Sequence, residues 1–166
     1  ALDQHAVQQL QQAIWAPLET FAQYSGLSTA EEVNPHYLTP KQGLVRLQKI
    51  MDEYAGGTSA WYTTNGPTLQ RGIELIEMLR ADLQHLAARN QHELLRCWEL
   101  WHRTWVGEAH MRHMLFRQET RWPGYYYRAD FPALDDANWR VFVNSHYDAA
   151  NNRWELVTRP YIHVVT

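Results

Sequence analysis

Apolar residues in the first part of the chain recur every three or four positions, which is the spacing of one face of an α-helix. The first such face consists of Val7, Leu10, Ile14, Leu18 and Phe21. Pro17 lies inside this segment. Because proline lacks an N–H donor and clashes with the preceding turn, we expect a kink or a break there. Gly26 closes the segment, and residues 27–38 are predicted to form a polar loop.

A second helix is predicted to begin at Thr39-Pro40 and to stop at Gly56-Gly57. Thr39 and Gln42 match the capping box, in which two side chains three residues apart satisfy each other's backbone N–H groups. Pro40 suits the first helical position, where no donor is needed, and glycine favours the conformation that ends a helix. The apolar face consists of Leu44, Leu47, Ile50, Met51 and Tyr54.

Two further helices are predicted from similar start signals. Asn65 followed by Gly66-Pro67 begins one, and Asn90 with Glu93, again a capping-box pattern, begins the other. Three long helices joined by short links pack most simply as an antiparallel bundle. We therefore predict a mainly α fold, an antiparallel three-helix bundle with an additional kinked N-terminal helix. The two apolar faces consist of Leu69, Ile73, Ile76, Leu79, Leu83 and Leu86, and of Leu94, Trp98, Trp101, Trp105, Ala109 and Phe116.

The pattern changes after Glu119, where Trp122-Pro123-Gly124 interrupts the helix and an aromatic loop follows. Alternating apolar residues then predict a β-hairpin, which should pack on the bundle because a lone hairpin is marginally stable in water. We expect one domain with two parts, a helical bundle in residues 1–118 and the aromatic loop with the hairpin in residues 119–166. The hairpin is predicted from Trp139, Val141 and Val143, the turn residues Asp148, Asn151 and Asn152, and Trp154, Leu156 and Thr158.

The net charge and the cysteine content exclude several classes of protein and of binding partner. The 18 Asp and Glu residues exceed the 15 Lys and Arg residues, and a net charge of −3 argues against a nucleic-acid or anionic-membrane partner. No apolar run approaches the roughly 18 residues of a membrane span. A single cysteine, Cys97, excludes an intrachain disulfide and favours a reducing, cytoplasmic compartment. The chain begins at Ala1 within predicted helix, which indicates a piece of a longer protein.

Histidines at helical spacing suggest a metal site, with Glu99 and His102 on one turn and His110 and His113 on another. A di-iron bundle needs a second Glu-x-x-His copy and two further inward glutamates, and the sequence lacks that second copy. We therefore expect no metal and no catalytic residue. Cys97 is expected to be a buried core residue rather than a nucleophile.

Other signatures of chemistry are weak or absent. Ser145, His146 and Asp148 combine the residue types of a catalytic triad, but neighbours on a strand point to opposite faces. The chain has no glycine-rich phosphate loop after a strand, so it should not bind a dinucleotide by itself.

The most unusual composition lies in residues 117–132, where arginines bracket a group of aromatic residues. Arginine and aromatic side chains are enriched at the centres of protein interfaces. Such a segment could equally pack onto its own helices, and both roles are compatible. We expect an exposed or partly exposed interface formed by Arg121, Trp122, Tyr125, Tyr126, Tyr127 and Arg128.

Three blocks of sequence resemble the C-terminal part of the alpha (flavoprotein) subunits of the dissimilatory adenylylsulfate reductase family. They are the residues Tyr-Leu-Thr-Pro at 37–40, Arg-Leu-Gln-Lys-Ile-Met-Asp-Glu-Tyr-Ala-Gly-Gly at 46–57 and Glu-Thr-Arg-Trp-Pro-Gly-Tyr-Tyr-Tyr-Arg at 119–128. The stretch 128–139 also resembles the wider fumarate reductase and succinate dehydrogenase flavoprotein class. The likeness extends over essentially the whole chain.

This resemblance implies a redox enzyme that interconverts adenylylsulfate with sulfite and AMP. FAD is implied in the full alpha subunit, and 4Fe–4S clusters in an iron–sulfur beta subunit that exchanges electrons with it. The dinucleotide-binding fold of that family has no counterpart in this sequence, and one cysteine cannot ligate a cluster that needs four. We therefore expect the chain to hold no cofactor, to be inactive alone, to buttress the FAD domain and to dock the beta subunit.

Two other function classes remain open from the residues alone. One is an autonomous helical binding module that uses the aromatic loop for recognition. The other is a small helical metal enzyme built on Glu99, His102, His110 and His113.

Overall fold

The computed structural model describes residues 3–28, 33–121 and 126–162, and its content confirms the mainly helical fold class. The helices are α1 (Gln4–Tyr24), α2 (Pro40–Tyr54), α3 (Gly66–Asp82), α4 (Gln91–Phe116) and the short α5 (Asp136–Trp139). The strands are β1 (Thr63–Thr64), β2 (Tyr127–Arg128), β3 (Val141–Asp148) and β4 (Arg153–Pro160). Within these residues, none of the helices has the length and apolar character required to traverse a bilayer.

The predicted helix starts are confirmed in their hydrogen bonds. The Gln42 N–H donates to Thr39 Oγ1 at 3.2 Å and the Thr39 N–H donates to Gln42 Oε1 at 2.8 Å, which completes the capping box. Asn65 Oδ1 accepts from the Thr68 N–H at 2.9 Å at the start of α3. At α4, Asn90 Oδ1 accepts from the Glu93 N–H at 3.0 Å. The Glu93 carboxylate instead reaches back to the N–H of residue 89, at 2.8 Å.

Replacing Thr39 with Ala should lower the free energy of unfolding by about 1 kcal/mol, because the hydroxyl accepts a hydrogen bond from the Gln42 backbone N–H in the first turn of α2. Urea unfolding followed by circular dichroism measures the change. Thr158→Ala, at an exposed position of β4, is the matched control and should change stability by less than about 0.5 kcal/mol. Equal effects of the two substitutions would contradict the capping role.

The structure gives one continuous α1 through Pro17, so the break that we allowed for at this residue is absent. A proline within a helix removes one N–H donor, whereas its carbonyl can still accept a hydrogen bond. The Pro17 carbonyl accepts from the Ala88 N–H at 2.9 Å. The proline turn is thereby tied to the segment that precedes α4.

Contacts within the chain divide it into two compact units. Unit 1 comprises Ala1–Gln48 and Glu77–Trp105, and unit 2 comprises Lys49–Ile76 and Val106–Thr166. These boundaries fall inside α2, α3 and α4 rather than at residue 118. The division into 1–118 and 119–166, like the antiparallel arrangement of the three long helices, stays a prediction.

Unit 1 has a core in which a glycine permits close helix packing. A Cβ added at Gly43 would lie 2.5 Å from Leu100 Cδ2 and 3.3 Å from Leu83 Cδ2, so a side chain there would require the Leu100 side chain to move. Two backbone hydrogen bonds, from Leu38 to His85 at 2.8 Å and from Ala87 to Leu38 at 2.9 Å, fix the segment before α2. The apolar face predicted for α3 and the residues that follow it is confirmed. Its buried residues are Leu69, Ile73 and Ile76 in unit 2, and Leu79, Leu83 and Leu86 in unit 1.

The buried face of α4 differs from the predicted one, and only Leu94 of the predicted set is fully buried. Trp98, Trp101 and Trp105 are half-buried at its flanks. The periodicity of apolar residues does not predict this face, because the large indole rings are only partly enclosed and polar residues occupy some of the core positions. Thr104 can be buried without loss of a hydrogen bond, because its hydroxyl donates to the Trp101 carbonyl at 2.7 Å. The observed buried positions are Leu94, Cys97, Leu100, Thr104, Gly107, Glu108, Met111 and Met114.

The predicted hairpin is confirmed as the antiparallel pair β3–β4, with register pairs Val143↔Thr158, Ser145↔Leu156 and Tyr147↔Trp154. The prediction that Trp139 belongs to the first strand is wrong, because Trp139 is the last residue of α5. Asp135 Oδ1 accepts from the Asn138 N–H at 3.1 Å and thereby caps this short helix. The guanidinium of Arg112 lies 5.9 Å from the Trp154 ring, which connects α4 to the hairpin within unit 2.

Candidate protein-docking site

The six residues predicted to form an interface have different environments. Trp122 and Tyr125 lie outside the described residues. Tyr127 is 39% exposed, and Arg121 and Tyr126 are half-buried. Arg128 departs from the expected exposure, because only 1% of its surface is accessible. Its side chain therefore supports this region from inside and cannot itself meet a partner.

Arg128 closes the end of α4. Strand β2 holds its backbone in register with Thr64 of β1 in a short parallel pair. Its Nη1 group donates to the carbonyl of Met114 and, at 3.0 Å, to that of Arg117. Met114 lies in the last turn of α4, where backbone carbonyls lack a partner within the helix, and Arg117 directly follows the helix. A buried arginine thus takes the place of a C-terminal cap.

The same guanidinium forms a two-point ion pair with Asp130, at 2.8 Å from Nε and 2.8 Å from Nη2. The hydrogen bonds from Arg128 hold the pKa of Asp130 at about 2, well below its ordinary value. Asp130 Oδ2 also accepts from the Gly66 N–H at 2.8 Å, at the start of α3. One ion pair therefore links the start of α3 to the end of α4.

A second buried ion pair is centred on Glu119, whose side chain has no accessible surface. Its carboxylate accepts from Arg117 Nη1 at 2.5 Å, from Arg121 Nε at 2.6 Å and from the Asp135 N–H at 3.1 Å. Burial by itself raises the pKa of Glu119, but the hydrogen bonds from Arg121, Asp135 and Arg117 outweigh it and lower the pKa. Glu119 is therefore ionised at neutral pH. We call Arg117, Glu119 and Arg121 the Glu119 cluster.

The Glu119 cluster borders a cavity of about 770 Å³ in unit 2. Arg117 also donates to the carbonyls of Trp139 at 2.8 Å and Val141 at 2.9 Å, which positions β3 along the cavity wall. His110 and His113, which lie in the last turns of α4, also line the cavity. Burial lowers the pKa of both histidines, so the arginines supply the positive charge at neutral pH.

Next to β2, in the link between α2 and β1, lies a group of exposed aromatic side chains. Trp61 is 83% exposed and Tyr62 is 43% exposed. Both have left-handed backbone conformations, with φ of 53° and 57°, which are unusual for bulky residues. The Tyr127 N–H donates to the Tyr62 carbonyl at 2.8 Å. We call Trp61, Tyr62 and Tyr127 the aromatic patch.

The loop that carries Trp61 is fixed by Asp52, near the end of α2. Asp52 Oδ1 accepts from the Ser59 N–H at 3.1 Å and from the Thr58 hydroxyl at 3.4 Å. These hydrogen bonds lower the pKa of Asp52, and those from Ser59 have the largest effect. Strained backbone that is held by its surroundings occurs frequently at functional sites. The pair of positive φ values is a feature of the fold that no pattern in the sequence signals.

The other candidate residues do not form a chemical site. Within residues 3–28, 33–121 and 126–162, no group of three or more His, Cys, Asp or Glu side chains could hold a metal ion. Glu99 pairs with Arg103 at 3.5 Å. Cys97 is 2% exposed and burial raises its pKa to about 12, so its predicted core role is confirmed. Ser145 and His146 are adjacent in β3 and therefore point to opposite faces.

FAD does not fit the arrangement of this chain. A dinucleotide site requires a strand, a glycine-rich turn and a helix in a parallel βαβ unit. In the described part of the chain, the parallel pair β1–β2 is two residues long and β3–β4 is antiparallel. A cluster of iron and sulfur requires several cysteines, and the chain has one.

Comparisons with known proteins identify relatives along the whole chain. Residues 45–165 match the sequence profile of the family described as fumarate reductase flavoprotein C-term. The chain is 46% identical over 158 residues to the adenylylsulfate reductase subunit alpha of Megalodesulfovibrio gigas, a match that covers 95% of this chain and 24% of the relative.

Solved structures agree with these sequence matches. The adenylylsulfate reductase of Archaeoglobus fulgidus superposes with a TM-score of 0.96 at 55% identity, covering 100% of this chain and 26% of that one. A structure of adenosine-5-phosphosulfate reductase in complex with sulfite as a covalent adduct gives the same TM-score of 0.96, identity of 55% and coverage of 100% and 26%. The chain thus spans about a quarter of the length of the relatives that it matches.

Proposed function

We propose, on the premise that the chain belongs to the fumarate reductase flavoprotein C-terminal family, that it is the C-terminal helical part of an adenylylsulfate reductase alpha subunit. The observation that carries this proposal is the 55% identity to the Archaeoglobus fulgidus enzyme over the full length of the chain. The Megalodesulfovibrio gigas subunit supports the same assignment.

In this proposal the complete enzyme interconverts adenylylsulfate with sulfite and AMP. FAD binds in the part of the subunit outside this chain, and an iron–sulfur beta subunit carries the 4Fe–4S clusters that exchange electrons with it. The covalent sulfite adduct described for one relative supports sulfite as a reactant. A single buried cysteine suits a reducing, cytoplasmic compartment.

The role that we propose for this chain is mechanical, since its residues do not fit FAD or a cluster. Three ion pairs, each with one buried partner, tie helix ends and strands of unit 2 together; they are Arg128–Asp130, Arg117–Glu119 and Arg121–Glu119. Ion pairs of this kind would keep unit 2 rigid, as a domain needs to be if it buttresses the FAD domain and presents a surface of fixed shape to the beta subunit. Rigid support keeps redox groups at a constant separation.

The docking surface that we propose is centred on the aromatic patch. Exposed aromatic side chains on a fixed backbone lose little conformational entropy on binding and often dominate interface energetics. Arg121, Tyr126 and Tyr127 keep the interface role predicted from the sequence, and Trp122 and Tyr125 belong to the same proposal. Arg128 contributes only as the buried support of β2.

The double substitution Trp61→Ala with Tyr127→Ala, made in the complete alpha subunit, should weaken its association with the beta subunit by about 1,000-fold, because each aromatic anchor contributes about 2 kcal/mol. Analytical ultracentrifugation of the two subunits measures this change. FAD content should stay stoichiometric, since neither residue lies near a flavin in this proposal.

Matched controls are Val45→Ala and Leu95→Ala, because both side chains are 56% exposed and lie on helices in unit 1. Each should leave association within about twofold of the unmodified subunit. Unchanged association of the double variant would contradict docking at the aromatic patch. Loss of FAD with intact association would also contradict it, because the patch would then face the flavin-binding part of the subunit.

A further inference from the structure

Helix α1 has an apolar surface that the rest of this chain leaves uncovered. None of the residues of Gln4–Tyr24, all of which the structure describes, is fully buried. Leu10 is 60% exposed and Trp15 is 45% exposed. The helix is nevertheless held in unit 1, because the Trp98 indole N–H donates to the Ile14 carbonyl at 3.2 Å. Apolar side chains on a fixed helix therefore face solvent.

An apolar cleft of about 310 Å³ lies between α1 and α4 in unit 1. Ala13 and Pro17 line it from α1, and Trp98 and Trp101 line it from α4. Residues three and four positions apart share a face of a helix. Leu10 therefore lies on the face of α1 that borders this space, which we call the α1–α4 cleft.

Both α1 and the α1–α4 cleft lack charged side chains. Residues 4–18 contain no Asp, Glu, Lys or Arg, and none of these four types is among the described residues that line the cleft. About a quarter or more of an ordinary solvent-facing surface is charged. Depletion of charge together with enrichment of aromatic residues is typical of the buried centre of an interface. The composition thus indicates a surface that another part of the protein covers.

The lack of charge favours a partner that belongs to the same polypeptide. Separate proteins use complementary charges to steer their association, whereas a covalently joined part is present at a high effective concentration without such steering. About three quarters of each relative lies outside the part that matches this chain. In the proposed alpha subunit, a large part of the same polypeptide is therefore available to cover α1.

We infer that the part of the alpha subunit outside this chain packs on α1 and inserts an apolar side chain into the α1–α4 cleft. Interfaces commonly centre on such an anchor in a desolvated pocket. The inference rests on the proposed function and deepens it, because it names the surface by which the chain buttresses the FAD domain. The aromatic patch, which belongs to unit 2, keeps its proposed role towards the beta subunit.

The test measures whether the surface of α1 is accessible in the complete alpha subunit. Leu10→Cys introduces a thiol at the inferred contact, and Val45→Cys is the matched control on α2. Val45 is 56% exposed, nearly as much as Leu10, but lysines four positions before and after it mark a charged face. Mass spectrometry of maleimide labelling under native conditions should show at least about tenfold slower reaction at position 10 than at position 45.

Three results would overturn the inference. They are equal labelling rates at the two positions, protection of position 10 only after addition of the beta subunit, and protection that increases with the concentration of the alpha subunit, as expected for a second copy. FAD content and AMP formation from adenylylsulfate by the unmodified enzyme, with its beta subunit, are measured in parallel. If both are normal, a failure concerns this inference alone. If both are absent, the proposed function is wrong and the inference fails with it.

A charge placed in the α1–α4 cleft tests the inserted side chain. Ala13→Glu, combined with Leu10→Cys, should speed labelling at position 10 at least about fivefold, because a carboxylate in an apolar contact opposes its closure. Val45→Glu in the same background is the control and should leave the rate within about twofold. Equal effects of the two glutamates would contradict packing in the cleft.

Discussion

Glu119→Gln is expected to lower the free energy of unfolding by about 3–5 kcal/mol. The substitution keeps the shape of the side chain but removes the charge that compensates Arg117 and Arg121. A buried ion pair that loses one partner leaves the other charge without compensation, and this is far more costly than losing an exposed pair. Urea unfolding of the purified chain, followed by circular dichroism, measures the change.

The matched control for this substitution is Asp136→Asn. Asp136 also pairs with Arg121, at 3.0 Å, but its side chain is 56% exposed. Water screens such a pair, so the loss should be about 1 kcal/mol or less. A loss of that size for Glu119→Gln as well would show that the Glu119 cluster does not organise unit 2.

Arg128→Met is expected to destabilise the chain by about 3–5 kcal/mol as well, for a different reason. Methionine has a similar length but cannot donate to the carbonyls of Met114 and Arg117 at the end of α4. It also leaves Asp130 without its ion-pair partner. Arg71→Met is the control, because Arg71 forms an exposed pair with Glu74 and its side chain is 53% exposed. Similar losses for the two variants would contradict the proposed cap.

The pH dependence of stability gives an independent check on Arg128. The pKa of Asp130 is about 2 in the folded chain, below its ordinary value of 3.8. Stability from this carboxylate is therefore present above pH 4 and is lost as the pH falls towards 2. Since its side chain is 30% exposed, the contribution is about 1–2 kcal/mol. In Arg128→Met this dependence should flatten, and an unchanged pH profile would exclude Arg128 as its cause.

Local signals in the sequence predicted the beginnings and ends of helices well. The capping pairs at Thr39 and Asn65 depend on residues three positions apart, so the chain itself brings them together. The end of α2 was also predictable from a local signal, because Gly56 follows the helix with a φ of 73° that other residues rarely adopt. The two strands of the hairpin also followed from the alternation of apolar residues.

The sequence could not predict contacts that depend on tertiary structure. The parallel pairing of β1 with β2 joins residues more than 60 positions apart, and each strand is only two residues long. Arg128 belonged to a segment whose composition indicated an interface, yet its guanidinium is buried against helix carbonyls. Composition does not distinguish an arginine that faces a partner from one that satisfies the chain's own backbone. Trp61 was missed because its exposure follows from a loop conformation that Asp52 fixes.

Mixing the purified 166-residue chain with FAD, and then removing unbound flavin by gel filtration, tests most directly whether this chain supports a redox enzyme without carrying its chemistry. The protein peak should show no flavin absorbance and should form no AMP from adenylylsulfate and a reductant. A peak with stoichiometric flavin absorbance, or AMP formation without any other polypeptide, would contradict the role of a structural and docking part.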